Sequence, residues 1–156
     1  MNLEKTKVFV AKYFKDKVDK GNNPYMEHLE YVSSHGRNET EKIIGLLHDT
    51  LEDTELTKKD LLEFGFSKEI VEVIEILTRR KNKSYNEYIE SIILSENESA
   101  LYIKKIDMEH NMDLSRIKNI EKKDILRVEN KYKPNYEKIC IALEKLKKYE
   151  KNNFIT

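Results

Sequence analysis

The sequence predicts an all-α protein, a bundle of about seven or eight helices in one domain spanning residues 1–156. Three observations predict it. Only 4 Gly and 2 Pro occur in 156 residues, so breaks are few. Lys, Glu, Leu and Ile are abundant, which suits helices. Apolar residues recur three and four apart, with none of the sustained alternation that strands need. A chain of this length can bury a sizeable core.

The first helix is predicted over about Leu3 to Lys17, with Val8, Phe9, Ala11, Lys12, Tyr13 and Val18 on its inward side. Asp19 to Pro24 is a turn by composition, and Pro24 opens the next helix, where Tyr25, His28, Leu29 and Val32 share a face. Gly36 ends that helix in the position glycine favours. Asn38 with Glu41 three later resembles a capping box, and its helix runs through Ile43-Ile44-Gly45-Leu46-Leu47 into His48 and Asp49.

Thr57 with Asp60 heads a short helix, Lys58 to Phe64, closed by Gly65. Ser67 caps the next, whose Ile70, Val71, Val73, Ile74 and Leu77 pack deep. Arg79 to Lys83 forms a basic loop, either solvated charge or an anion-steering rim. Ser84 and Glu87 form a second capping-box pattern for a helix over Tyr85 to Leu94. Another helix runs from about Glu98 to Ile117, with Ile103, Ile106 and Ile117 marking its core side. Glu121 to Tyr149 reads as one long helix bent or interrupted at Pro134.

Charge and cysteine content narrow the function classes. Lys plus Arg equals Asp plus Glu, 29 of each, so no global pull toward nucleic acid or an anionic membrane is expected. Any phosphate recognition must be local. Cys140 is the single cysteine; it excludes an intrachain disulfide, favours a reducing compartment and falls in a helical pattern that reads as core. The first residues lack a signal-peptide apolar region, and no run approaches the roughly 20 apolar residues of a membrane span. A cytoplasmic protein is expected.

The chemistry concentrates in Gly45 to Thr54, GLLHDTLEDT. An apolar segment delivers His48 and Asp49, then Glu52 and Asp53, and buried charge must be paired or bind a metal. On a continuous helix, positions four apart share a face, which sets Glu52 over His48 and Asp53 over Asp49. An imidazole and a carboxylate suit manganese, iron, zinc or a similar ion, and a carboxylate one turn away can handle the proton of an activated water. The alternative for this stretch alone is a satisfied core histidine followed by a solvated loop.

Two further inward polar residues complete a set. His28 lies on the inward face of the second helix, and Asp107 sits where Ile103 and Ile106 mark the core, an expensive place for an unpaired carboxylate. His28, His48, Asp49 and Asp107 make a mixed nitrogen and oxygen site from three helices, open to water and substrate as a catalytic metal requires. Asn111 follows Asp107 on the same face; His110 beside it reads as a neighbour of the site or a surface residue rather than a ligand.

The order His, His-Asp, Asp resembles the HD-domain metal-dependent phosphohydrolases. NPYMEH, LLHDTLEDT and IKKIDMEHNMDLSRI are similar to the hydrolase domain of the RelA/SpoT type and its small stand-alone homologues, over roughly Phe9 to Tyr132. The resemblance implies an HD-domain helical bundle. It implies His28, His48, Asp49 and Asp107 as ligands of a divalent metal, generally Mn2+, with Glu52 and Asp53 as the catalytic pair. Asn111 resembles a residue lining the nucleotide pocket, and Lys104 matches the lysine of a KxxD segment. The implied partner is a small-molecule nucleotide, and a homodimer is compatible with the sequence.

Departures bear on the substrate. Asp19, within Val18-Asp19-Lys20-Gly21, stands about where such hydrolases carry an Arg against guanine, and Leu29 replaces the usual Pro after His28. No counterpart of the synthetase domain of long members is expected. Lys17 and Lys20 remain available to phosphates. The expected reaction is removal of a 3′-pyrophosphate from a guanosine 3′,5′-bis(diphosphate)-like nucleotide by a metal-activated water. The alternatives are an HD-type 5′-nucleotidase acting on (deoxy)nucleoside monophosphates and a nucleotide-sensing module without turnover.

Overall fold

The structure, a computed structural model, describes residues 1–155. Among them are ten α-helices and no named strand: α1 Leu3–Phe14, α2 Tyr25–Ser34, α3 Glu39–Leu47, α4 Thr50–Asp53, α5 Lys58–Glu63, α6 Lys68–Ile76, α7 Tyr85–Leu94, α8 Glu98–Asn111, α9 Lys122–Leu126 and α10 Lys133–Ile155. Eight have six residues or more, as expected. α4 and α9 are single turns split from longer predicted helices. No helix among the described residues is long and apolar enough to cross a membrane.

α3 is the axis of the bundle. Glu41, Ile43, Ile44, Gly45, Leu46 and Leu47 are all buried, because α1, α2, α6 and α8 pack around it. Such a helix needs little polar surface of its own. Gly45 permits the tightest of these approaches: a Cβ there would lie 2.7 Å from Ser33 Cα of α2. α8 is the second buried helix, with Ala100, Leu101, Ile103, Ile106 and Met108 in the core beside Lys104, Asp107 and His110.

Helix starts follow their side chains. Asn2, Asn38, Thr57, Ser67, Ser84 and Asn97 each accept a backbone N–H three residues on, which satisfies a donor the helix leaves orphaned. Only the Thr57–Asp60 pair of those predicted closes a full capping box. At Asn38 the expected reciprocal arm is diverted, because Glu41 turns to Arg37.

Several boundaries differ from the sequence reading. α1 ends at Phe14, not Lys17, and its buried stripe is Thr6, Phe9, Val10 and Phe14; Val8, at 64% exposure, Lys12 and Val18 face solvent. Gly65 has φ +100° and closes α5 as expected. Gly36 is different: its φ is not positive, and it is confined because a Cβ would lie 2.6 Å from Lys42 N. The helix from Glu98 stops at Asn111, since Asp113 caps a separate 3-10 turn, Leu114–Arg116. Ile117 therefore leaves the helix and lines a cleft.

The predicted long C-terminal helix is broken by a π-helical turn, Arg127–Tyr132, just ahead of Pro134. Pro134 has no N–H to give and its ring crowds the preceding turn. The backbone widens instead, with Lys133 N–H donating to Val128 O, five residues back, the mark of a π turn. Asn135 Nδ2 takes the Lys131 carbonyl at 2.8 Å. Ile125 is exposed, and Cys140 is half-buried rather than core.

A partly buried ion-pair network, built on the buried carboxylate of Glu41 and the exposed Arg37, ties the α2–α3 connection to α8. Glu41 is 1% exposed; Arg37 Nη2 lies 2.7 Å from its Oε2 and Arg37 Nη1 2.9 Å from Glu98 Oε1, with Ser99 Oγ donating to Glu41 at 3.0 Å. Burial opposes ionisation of Glu41, but Arg37 outweighs it and holds the carboxyl below its usual range. Arg37→Ala is expected to lower stability by about 3 kcal/mol, because it strands a buried carboxylate. Thermal and urea denaturation check it; a loss below about 1 kcal/mol would mean that the pair behaves as exposed pairs do.

Candidate active site

Three helix ends converge on one point. α2 brings Tyr25 and His28 from its first turn, on one face at a spacing of three. α3 ends at Leu47, with His48 as its C-cap. Asp49 has φ −100° and ψ 1°, in the sparsely populated bridge region common at active sites, and α4 then carries Glu52 and Asp53. The predicted continuous helix through the doublet is therefore broken at Asp49. α8 contributes Lys104, Asp107 and Asn111 from its last two turns.

The four residues predicted as ligands are brought together. His28 Nε2 lies 3.0 Å from Asp107 Oδ1 and 3.7 Å from Asp49 Oδ2. His48 Nε2 lies 3.1 Å from Asp49 Oδ2 and 3.4 Å from Asp107 Oδ1. One donor atom each from His28, His48 and Asp49 falls within 4.8 Å of the others, a grouping able to hold a metal ion.

His48 supplies the chemical test of fit. Its Nδ1 lies 2.6 Å from Gly45 O, so that nitrogen carries a proton and donates it. Its Nε2 is buried, has no hydrogen-bond partner, and faces two carboxylates. Positive charge is demanded at this point. Burial opposes a second proton on His48, but Asp49 and Asp107 outweigh it and hold the imidazole well above its usual pKa. Burial likewise raises the two carboxyls, but His48 outweighs it at Asp49 and Lys104 at Asp107, so both stay below the usual range. A divalent cation answers the same demand, and nitrogen and oxygen donors in this mix suit one.

Lys104, the lysine of the KxxD match, lies 2.6 Å from Asp107 Oδ2, with its ammonium over the rings of Tyr88 and Tyr85. Asn111 Nδ2 donates to Asp107 Oδ1 at 3.1 Å. Both residues line the cleft, yet their contacts hold the carboxylate. Lys20 also lines the cleft.

The predicted catalytic pair sits beside this set. Glu52 Oε1 accepts the Arg79 backbone N–H at 2.6 Å. Tyr25 was absent from the sequence-predicted site, yet its hydroxyl lies 2.6 Å from Asp49 Oδ2 and 3.2 Å from Asp53 Oδ2. Burial and the neighbouring Asp49 raise the Tyr25 phenol, which keeps it a donor. Glu52 and Asp53 are open to the cleft on one side, but burial first, and Asp49 beside them, raise both pKa values, against the Arg79 N–H at Glu52 and the Tyr25 hydroxyl at Asp53.

Tyr25, Asp49, Glu52 and Asp53 line a cleft of about 650 Å3 whose lining also includes the basic side chains of Lys17, Lys20, Arg79, Arg116, Arg127 and Lys131. Of the basic loop, Arg79 faces this cleft; Lys81 and Arg80 are exposed outside it. Asp19 does not face it as a bare charge, because Arg116 Nη2 pairs with its Oδ2 and its Oδ1 accepts the N–H of Gly21 and Asn23. Arg127 and Lys131 gave no sequence signal, and Arg116 appeared only as part of the IKKIDMEHNMDLSRI stretch. Their helix and 3-10 phases, set by the capping of Asp113 and the π turn, decide which way they point.

No family model matches the chain. It is 28% identical over 126 residues to a GTP pyrophosphokinase of Myxococcus xanthus, a match covering 70% of this chain and only 16% of that protein. A solved structure of a metazoan ortholog of SpoT, described as hydrolysing ppGpp and playing a role in starvation responses, superposes with a TM-score of 0.62 at 18% identity over 95% of this chain and 94% of its own. The fold is thus the all-α HD-domain fold of that protein.

Proposed function

We propose that residues 1–156 form one metal-dependent phosphohydrolase domain, which removes a 3′-pyrophosphate from a guanosine 3′,5′-bis(diphosphate)-like nucleotide. The observation that carries this reading is His48 Nε2, buried without a hydrogen-bond partner against Asp49 and Asp107, two carboxylates that line a cleft rich in basic side chains. The described activity of the metazoan ortholog supports the substrate.

His28, His48, Asp49 and Asp107 would hold the cation, with Mn2+ the proposed ion. A cation there supplies a Lewis acid that neutralises phosphoryl charge and makes water nucleophilic near neutral pH. Glu52, aimed by the Arg79 N–H, and Asp53, joined to Asp49 through Tyr25, orient the attacking water and carry its proton toward the leaving 3′ oxygen. Lys20, Arg79 and Lys131 have no carboxylate partner in an ion pair among the described residues, and they lie where the remaining phosphates would extend.

Release of phosphate and pyrophosphate, with Mn2+ and with chelator, across guanosine 3′-pyrophosphates and nucleoside mono- and triphosphates tests the proposal. Chelator-sensitive pyrophosphate release confined to the 3′-pyrophosphates is expected. Orthophosphate from monophosphates would identify a nucleotidase, and tight binding without turnover a sensing module.

A pH profile follows from the raised pKa values of Glu52 and Asp53. A raised carboxyl loses its ionised form at a higher pH than its ordinary value of about 4. Turnover with Mn2+ is expected to fall along an acidic limb above that range. A limb at or below it, after correction for metal occupancy, would remove the pair as proton carriers.

A further inference from the structure

His110 stands outside the predicted ligand set, yet it is buried and its Nδ1 lies 2.7 Å from Nδ1 of His28. Only one proton fits between two ring nitrogens at that distance. If His110 gave the proton, His28 would accept at Nδ1 and carry its own proton on Nε2, the atom 3.0 Å from Asp107 Oδ1, where a metal donor must be bare. If His28 gives it, Nε2 is left with a lone pair facing Asp49 and Asp107. The second arrangement alone makes His28 a ligand.

Packing keeps His110 in place for this task. Its ring stacks on Tyr31, with centroids 4.0 Å apart and planes 12° apart, and lies nearly parallel to His28, 16° between planes. Arg116 Nη1 donates to the His110 carbonyl at 3.2 Å. His48, by contrast, donates its Nδ1 proton to a backbone carbonyl, Gly45 O.

We propose that His110 is a positioning residue: it accepts the Nδ1 proton of His28, and so fixes the tautomer and ring angle in which His28 Nε2 faces the cation. Partners of this kind typically change metal affinity by about 10–100-fold. This inference rests on the metal-centre reading above and goes beyond it, since no ligand role is given to His110 itself.

Two substitutions separate acceptance from packing. His110→Asn offers an oxygen close to where Nδ1 was but loses the stack on Tyr31; His110→Phe keeps the ring and has no acceptor. Mn2+ titrated calorimetrically into wild type and both variants, with melting temperatures alongside, should show His110→Phe weakened about 10–100-fold and His110→Asn within a few-fold of wild type. Equal affinity for His110→Phe and wild type, or a weaker His110→Asn than His110→Phe, would overturn the proposal while leaving the metal centre standing. No Mn2+ uptake by wild type would overturn both.

A measurement on wild type needs no variant to fold. Long-range nitrogen–proton NMR of the zinc-loaded protein should show the proton on Nδ1 of His28 and none on Nδ1 of His110. The reverse assignment would also overturn it.

Discussion

Asp49→Ala is expected to abolish Mn2+ uptake and to lower turnover by at least about 10³-fold, the scale on which losing one charge-stabilising group cuts kcat in a water-poor site. Asp49 Oδ2 lies 3.1 Å from His48 Nε2 and 3.7 Å from His28 Nε2, and Asp49 is the carboxylate grouped with the two histidines as able to hold an ion. Beyond the site, the substitution chiefly removes an acceptor for the Tyr25 hydroxyl, and the fold should survive. Calorimetry gives the metal affinity and pyrophosphate release the turnover. An Asp49→Ala protein that still bound Mn2+ as wild type does would exclude Asp49 as a ligand.

Glu52→Gln should separate metal from chemistry. The amide oxygen can keep the Arg79 N–H bond, and none of the four proposed ligands is touched. Metal affinity should stay near wild type while kcat falls about 10²–10⁴-fold, the usual worth of a positioned acid or base. Stability should move the other way. The folded pKa of Glu52 is raised, chiefly by burial, so its contribution to stability is present below the unfolded pKa and lost as pH rises through the folded one. At neutral pH the ionised carboxylate therefore opposes folding, and the metal-free Glu52→Gln protein should melt at or above the wild-type temperature. Unchanged kcat would remove Glu52 from the proton path.

The local rules of helices made much of this molecule readable in advance. Side-chain caps at Asn38, Thr57, Ser67 and Ser84 and inward stripes such as Ile70–Leu77 depend on neighbours within about a turn, and they fall where expected. The convergence of His28, His48, Asp49 and Asp107 was legible for a related reason: buried polar residues on apolar faces must find one another. What stayed hidden depends on geometry across distant segments. Tyr25 meets Asp49 and Asp53 only because α3 breaks at Asp49. Arg116 finds Asp19 across 97 positions. The π turn required knowing how the backbone would relieve Pro134, which composition does not reveal.

Gly45 against Ser33 has a mechanical corollary. With backbones touching there, the helices bearing His28 and His48 have no slack to slide or spread, so the two imidazoles form one jaw of fixed gape. Compliance is left to Asp49, which hangs from a helix break, since Asp107 is held by Lys104 and Asn111. Discrimination among cations of different radius would then be set by how far that one carboxylate can swing, and hardly by the spacing of the nitrogens.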